Sequence, residues 1–158
     1  MVPRMTATAI DETKVLKLLT ELFEEDLHAR RILSLSNATL GVVHAGSLGI
    51  HAIGRAFAAA RGTLSRHGVK QVDRLLSNEN INPWQLASSW VPFVLGERGE
   101  ALISIDWTDF AKDDHTTLVA SLVTSHGRTT PLLWRTVPKS ALKGLRNLVE
   151  DDLLQRLK

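Results

Sequence analysis

Cysteine is absent from the 158 residues, which excludes disulfides, cysteine-ligated zinc and thiol nucleophiles. The absence fits a reducing compartment. An excess of one charge is missing too: 19 Lys and Arg face 17 Asp and Glu, a formal net charge of +2, so the chain as a whole is no polycation. The opening MVPRMTATAI carries no apolar stretch before Asp11 and Glu12, so no secretory signal is expected. Long apolar runs are also lacking. Residues 38–60 are the most lipid-like, but His44, His51 and Arg55 interrupt them, short of the roughly 18 uncharged residues of a spanning helix. No internal repeat and no long linker stands out. These absences predict a soluble, cytoplasmic protein with no membrane partner. What is present is ordinary: 44% apolar and 23% charged residues, in a length suited to one medium domain or two small ones that buries roughly 70% of its unfolded surface.

The first part of the chain reads as helical, over residues 1–98. Val15, Leu18, Leu19, Leu22 and Phe23 recur at i, i+3, i+4, i+7 and i+8, the apolar face of an amphipathic helix, with Glu21, Glu24, Glu25 and Asp26 on the other face. A second helix is predicted from an N-cap at Ser36 or Asn37 toward Arg61. Its glycines (Gly41, Gly46, Gly49, Gly54) weaken it by up to about 1 kcal/mol each, so close packing or a break is expected there. Gly62 ends that element, and Ser65 is placed to cap a third helix reaching Leu76. After the turn SNENIN, Asn82, Pro83 and Gln85 form a capping-box pattern for a fourth helix, limited by Pro92. The third and fourth helices have the layout of a helix-turn-helix.

Near residues 96–100 the period becomes strand-like, and residues 99–158 form a second region. The run ALISIDWTDF reads as a strand buried on both faces and ending on Asp106. A carboxylate there must be paired, hold a metal, or turn into solvent. TTLVASLVT and TTPLLWRTV follow as two more strands. Pro131 cannot donate a ladder hydrogen bond, which makes the third an edge. A helix capped by Ser140 closes the chain, with Leu142, Leu145, Val149, Leu153 and Leu157 on one face. The fold class is therefore α+β.

Residues 55–78 carry Arg55, Arg61, Arg66, Lys70 and Arg74 against one acid, Asp73. Arg66, Lys70 and Arg74 are spaced i, i+4, i+8 and form a single stripe, with Val69, Val72 and Leu76 expected on the buried side. Such a stripe lies along DNA phosphates or is simply a solvated face. His44 and His51 share a helix face but lack a third ligand. His115 beside Asp113 and Asp114 reads equally as a ligand cluster or a polar loop, and Ser104, Ser125 and His126 form no nucleophile arrangement. Trp84, Trp90, Trp107 and Trp134 are read as core anchors.

RGTLSRHGVKQVDRLLSN (61–78), NPWQLASSWVPFVL (82–95) and ISIDWTDF followed by LVTSHGRTTPLLWRTV together resemble the DDE transposases of bacterial insertion sequences. The likeness runs from about Leu35 onward. It implies the β-β-β-α start of an RNase H-like core behind a helical region that binds transposon-end DNA, for which the basic residues Arg61, Arg66, Lys70 and Arg74 are the candidates. It also implies that Asp106 is the first of three catalytic acids holding two divalent ions, usually magnesium, for phosphodiester cleavage and strand transfer. Asp109 is the rival acid. It would face away from Asp106 if the strand reached it, and it is read with Asp113 and Asp114 as a solvated loop acid. The strand with the second acid and the helix with the third do not appear before Lys158. The chain is therefore expected to be truncated, to bind magnesium weakly or not at all, to be inactive alone, and to retain weak DNA affinity or association with full-length transposase. The alternative is a non-enzymatic helix-turn-helix DNA-binding or interaction protein. A third reading is a decayed gene product that does not fold stably.

Overall fold

The computed structural model describes residues 11–157; the first ten residues, on which the reading of a secretory signal turns, lie outside them. The architecture is α+β, with helices α1 to α5 preceding a three-stranded antiparallel sheet and α6 following it. The chain divides into two compact units, Met1–Asn82 and Pro83–Lys158. The boundary falls before the last predicted helix of the helical region rather than after residue 98. The reason is local packing: Trp84, Ala87, Trp90 and Val91 belong to the same apolar cluster as the sheet.

Among the described residues the first unit holds four helices. α1 (Glu12–Phe23) opens on Asp11, whose carboxylate accepts the Thr13 N–H at 2.9 Å, a standard N-cap contact. Of its predicted apolar face Phe23 is buried, whereas Leu18 is exposed. α2 (Ala29–Ala45) starts at His28, whose Nδ1 accepts the Arg30 N–H at 3.2 Å. The predicted cap residues Ser36 and Asn37 lie inside this helix, and Ser36 shares a buried line with Ile32 and Leu40. The expected break occurs at Gly46, in the left-handed region at φ 57°, where a side chain would be strained. α3 (Ile50–Ala60) follows.

The expected close packing is present as well. A Cβ on Gly68 would lie 2.1 Å from the Gly54 carbonyl oxygen, and one on Gly54 would lie 2.4 Å from Val69 Cα. Backbone therefore meets backbone where α3 crosses α4 (Ser65–Leu76). The cap of α4 is Leu64, with Ser65 inside the first turn. Its buried residues are Gly68, Val72 and Leu75, while the predicted Leu76 is exposed.

In the second unit α5 spans Ala87–Leu95. The capping pattern at Asn82, Pro83 and Gln85 does not start it; residues 83–86 form turns. Pro92 lies inside the helix rather than at its end, and the helix runs on to Gly96, whose N–H donates to the Pro92 carbonyl at 2.8 Å. Arg98 donates to the Val94 and Leu95 carbonyls at 3.1 and 2.6 Å, satisfying two groups that a helix end leaves unpaired. The two helices of the predicted helix-turn-helix layout, α4 and α5, fall in different units. Within the first unit α2 and α3, and likewise α3 and α4, are joined by four residues each.

Strands β1 (Ile103–Asp109), β2 (His115–Val123) and β3 (Thr129–Pro138) pair in that order. β3 is an edge, as Pro131 requires, and the register slips between Ala120 and Ser121 beside it. One face of the sheet carries Leu118, Ala120, Leu122 and Leu133, packed with Val91 of α5 and Leu153 of α6 (Arg146–Gln155). The last helix begins later than a Ser140 cap predicts. A 3-10 turn, Lys139–Leu142, intervenes, and Leu145 is exposed. Trp84, Trp90 and Trp107 pack against this core, as expected of anchors, but Trp134 is 43% exposed. Among the described residues no helix is long and apolar enough to cross a membrane.

Candidate nucleic-acid interface and lone carboxylate

α4 is a small cationic platform. Its packed side is closed by Gly68, Val72 and Leu75, and this directs Arg66, Lys70 and Arg74 to the exposed side. Among the described residues no carboxylate pairs with any of the three. Sequence spacing and structure agree on this stripe.

Arg61 stands apart from it. As the C-cap of α3 it is paired to Glu12 of α1, donates to Asn37 Oδ1 of α2 at 3.2 Å, and lies 5.8 Å over the Phe57 ring. Its charge is thus engaged at the joint of three helices.

Arg74 has a second role. It lines a pocket of about 270 Å³ together with Arg31 and Ser34 of α2, Gln71 and Leu75 of α4, and Asn78 of the following turn. A helix start at Ser36 or Asn37 leaves Arg31 off the helix, whereas α2 begins at Ala29 and carries it. Ser is a favoured N-cap, and here it is a mid-helix core residue. The spacing of Ile32, Ser36 and Leu40, each four residues apart, was the signal that could have corrected it.

In the second unit Asp106 stands in the body of β1, opposite Val119 and, one strand further, Trp134. It is exposed, and β1 itself is half-exposed rather than buried on both faces, with Ile105 38% accessible. β1 forms the other edge of the three-stranded sheet. Asp106 therefore faces the side of the sheet away from the α5 and α6 core. The strand continues to Asp109, which pairs with Thr116, so Asp109 is a strand residue rather than a loop acid. Alternation puts it on the opposite face from Asp106.

The loop acids are exposed but tied. The Asp113 carboxylate lies 2.6 Å from His115 Nδ1, and this hydrogen bond holds its pKa below the ordinary Asp value. Asp114 accepts from Ser140 Oγ at 2.6 Å, and Lys139 Nζ donates to the Phe110 carbonyl at 2.8 Å. These bonds brace the β1–β2 loop against the 3-10 turn. Among the described residues no three His, Asp or Glu side chains are grouped to hold a metal ion. The residues present do not by themselves fit a two-ion centre, and His44 with His51 remains a pair without a third ligand.

Comparison of the chain with family models, with curated proteins and with solved structures gives no match.

Proposed function

We propose that this chain is a DNA-binding piece of a DDE-type transposase of bacterial insertion sequences, in which the helical unit holds DNA and the sheet unit contributes the first catalytic acid. The observation that carries the reading is the exposed, unpaired stripe Arg66, Lys70 and Arg74 on a helix whose opposite side is locked by glycine packing. Three cations on a rigid helix neutralise phosphates and release counterions, which gives affinity without base readout. Transposon-end DNA is the partner that the family resemblance implies.

The resemblance assigns the role of first acid to Asp106. Its support is the order of elements: an antiparallel β1-β2-β3 meander with Asp106 on an edge strand, followed by a helix. In the two-ion chemistry of that family, magnesium would need two further carboxylates. Asp109 points to the other face, and among the described residues no two further carboxylates gather with Asp106. This polypeptide alone is expected neither to nick nor to join DNA. Magnesium-dependent nicking by purified, nuclease-free protein would contradict that.

The lone carboxylate also favours a second reading, a non-enzymatic DNA-binding protein. A strong preference for one sequence over random duplex, in a chain that unfolds cooperatively, is its mark. The test common to both is to replace Arg66, Lys70 and Arg74 together by Gln. If each neutralises one phosphate, the log–log salt slope of duplex binding should fall in magnitude by about 2.7. An unchanged slope would refute the α4 interface.

A further inference from the structure

We propose that the pocket between α2 and α4, flanked by Arg31 and Arg74, seats a backbone phosphate of duplex DNA and extends the α4 stripe into a four-cation track. The inference rests on the DNA-binding reading and adds a site to it. No carboxylate lines the pocket; its polar lining is Arg31, Ser34, Gln71, Arg74 and Asn78. Arg31 is half-buried, and among the described residues no acid pairs with it. Removing part of a guanidinium from water without a counter-charge is costly, and an anion arriving from outside offsets that cost.

The chemistry of the lining selects phosphate among anions. Two guanidinium groups offer planar forks of donors that match phosphate oxygens. The amides of Gln71 and Asn78 add neutral N–H donors. Asn78 Oδ1 is already occupied by the Asn80 N–H at 3.0 Å, which anchors that side chain at the pocket. Size agrees: about 270 Å³ lies just below the roughly 300–1,000 Å³ of pockets that enclose whole small ligands. It suits one charged group of a larger molecule.

Arg74 gives the pocket its place on the DNA path. It belongs both to the exposed stripe and to the pocket lining, so a strand following Arg66 and Lys70 meets Arg31 next. A free phosphate ion shares this chemistry, and the experiment separates the two sources.

The full 158-residue chain is titrated with a random duplex of about 20 base pairs over a range of salt. The track predicts a slope of about −3.6 for the unaltered protein and about −2.7 for Arg31→Gln, with equal losses on any sequence. A slope that Arg31→Gln leaves unchanged, in a protein that binds DNA, overturns the pocket and spares the α4 stripe. No DNA binding by the unaltered chain overturns both.

Asn78→Asp keeps the acceptor for the Asn80 N–H and adds a negative charge at the pocket. It should weaken duplex binding about tenfold at low salt, one phosphate contact's worth, and unchanged affinity overturns the proposal. Inorganic phosphate, added at constant ionic strength, should compete only weakly. Saturable sub-millimolar binding of it, together with an unchanged Arg31→Gln slope, would make the site one for a free phosphate.

Discussion

The sheet unit and the helical unit hold their charges differently. In the sheet unit Arg135 pairs with Asp152 at 2.6 Å, Arg156 with the same carboxylate at 3.5 Å, Glu150 accepts from the Trp107 indole at 2.7 Å, and Asp113 and Asp114 are each bonded within the loop region. In the helical unit Arg61 is similarly tied to Glu12, but among the described residues Arg66, Lys70 and Arg74 form no ion pair, although the exposed Asp73 stands on the same helix between Lys70 and Arg74. Tied charges orient helices and loops. Untied charges on a rigid, glycine-locked helix contribute little to the fold and are available to an external partner. Asp106 in the sheet unit is untied as well. Among the described residues it has no ion pair or side-chain hydrogen bond, which sets it apart from the acids that brace the loop.

The packing beneath the stripe is the most sensitive point. Gly68→Ala places a methyl 2.1 Å from the Gly54 carbonyl oxygen, and backbone cannot yield as a flexible side chain can. Overpacking of this kind should cost about 1–3 kcal/mol, read as lost hydrogen-exchange protection in α3 and α4. Wild-type protection in Gly68→Ala would show that the two helices do not depend on this contact.

A smaller effect separates tied from untied charge. A double-mutant cycle on Arg135 and Asp152, whose side chains are 42% and 38% exposed, should give a coupling of about 0.2–1 kcal/mol. Arg66→Gln should change stability by no more than about 0.5 kcal/mol. A larger loss from Arg66→Gln would place that residue among the structural charges.

The smallest effect is in acid. Asp113 has a depressed folded-state pKa because His115 bonds its ionised form. Its contribution is therefore present above the ordinary Asp value of about 3.9 and is lost as pH falls through the lower folded value. The Tm difference between the unaltered chain and Asp113→Asn should shrink on acidification below that value. A difference that grows in acid would contradict the assignment.

Much of the fold was legible because periodicity and turn chemistry are strong local signals. The three strands, the Pro131 edge, the break in the Gly-rich helix and the α4 stripe all follow from residue spacing. The errors have physical causes too. Ser36 and the Asn82-Pro83 pair are good cap residues, but tertiary packing placed the first inside α2 and the second ahead of α5. Proline chemistry makes Pro92 a helix limit, yet it sits within α5. The unbroken run from Ala101 to Ile105 predicts a doubly buried strand leading into Asp106. Burial on both faces needs a packed layer on each, and Asp106 sits on the face away from α5 and α6. The Arg31 pocket could not be read at all, since it requires residues from α2, α4 and a turn to converge.

The measurement that bears most directly on the account is the salt dependence of random-duplex binding by the full chain. A log–log slope of about −3.6, falling to about −0.9 when Arg66, Lys70 and Arg74 become Gln, is the predicted result. A slope near zero in the unaltered protein would contradict it and leave the α4 stripe a solvated helix face.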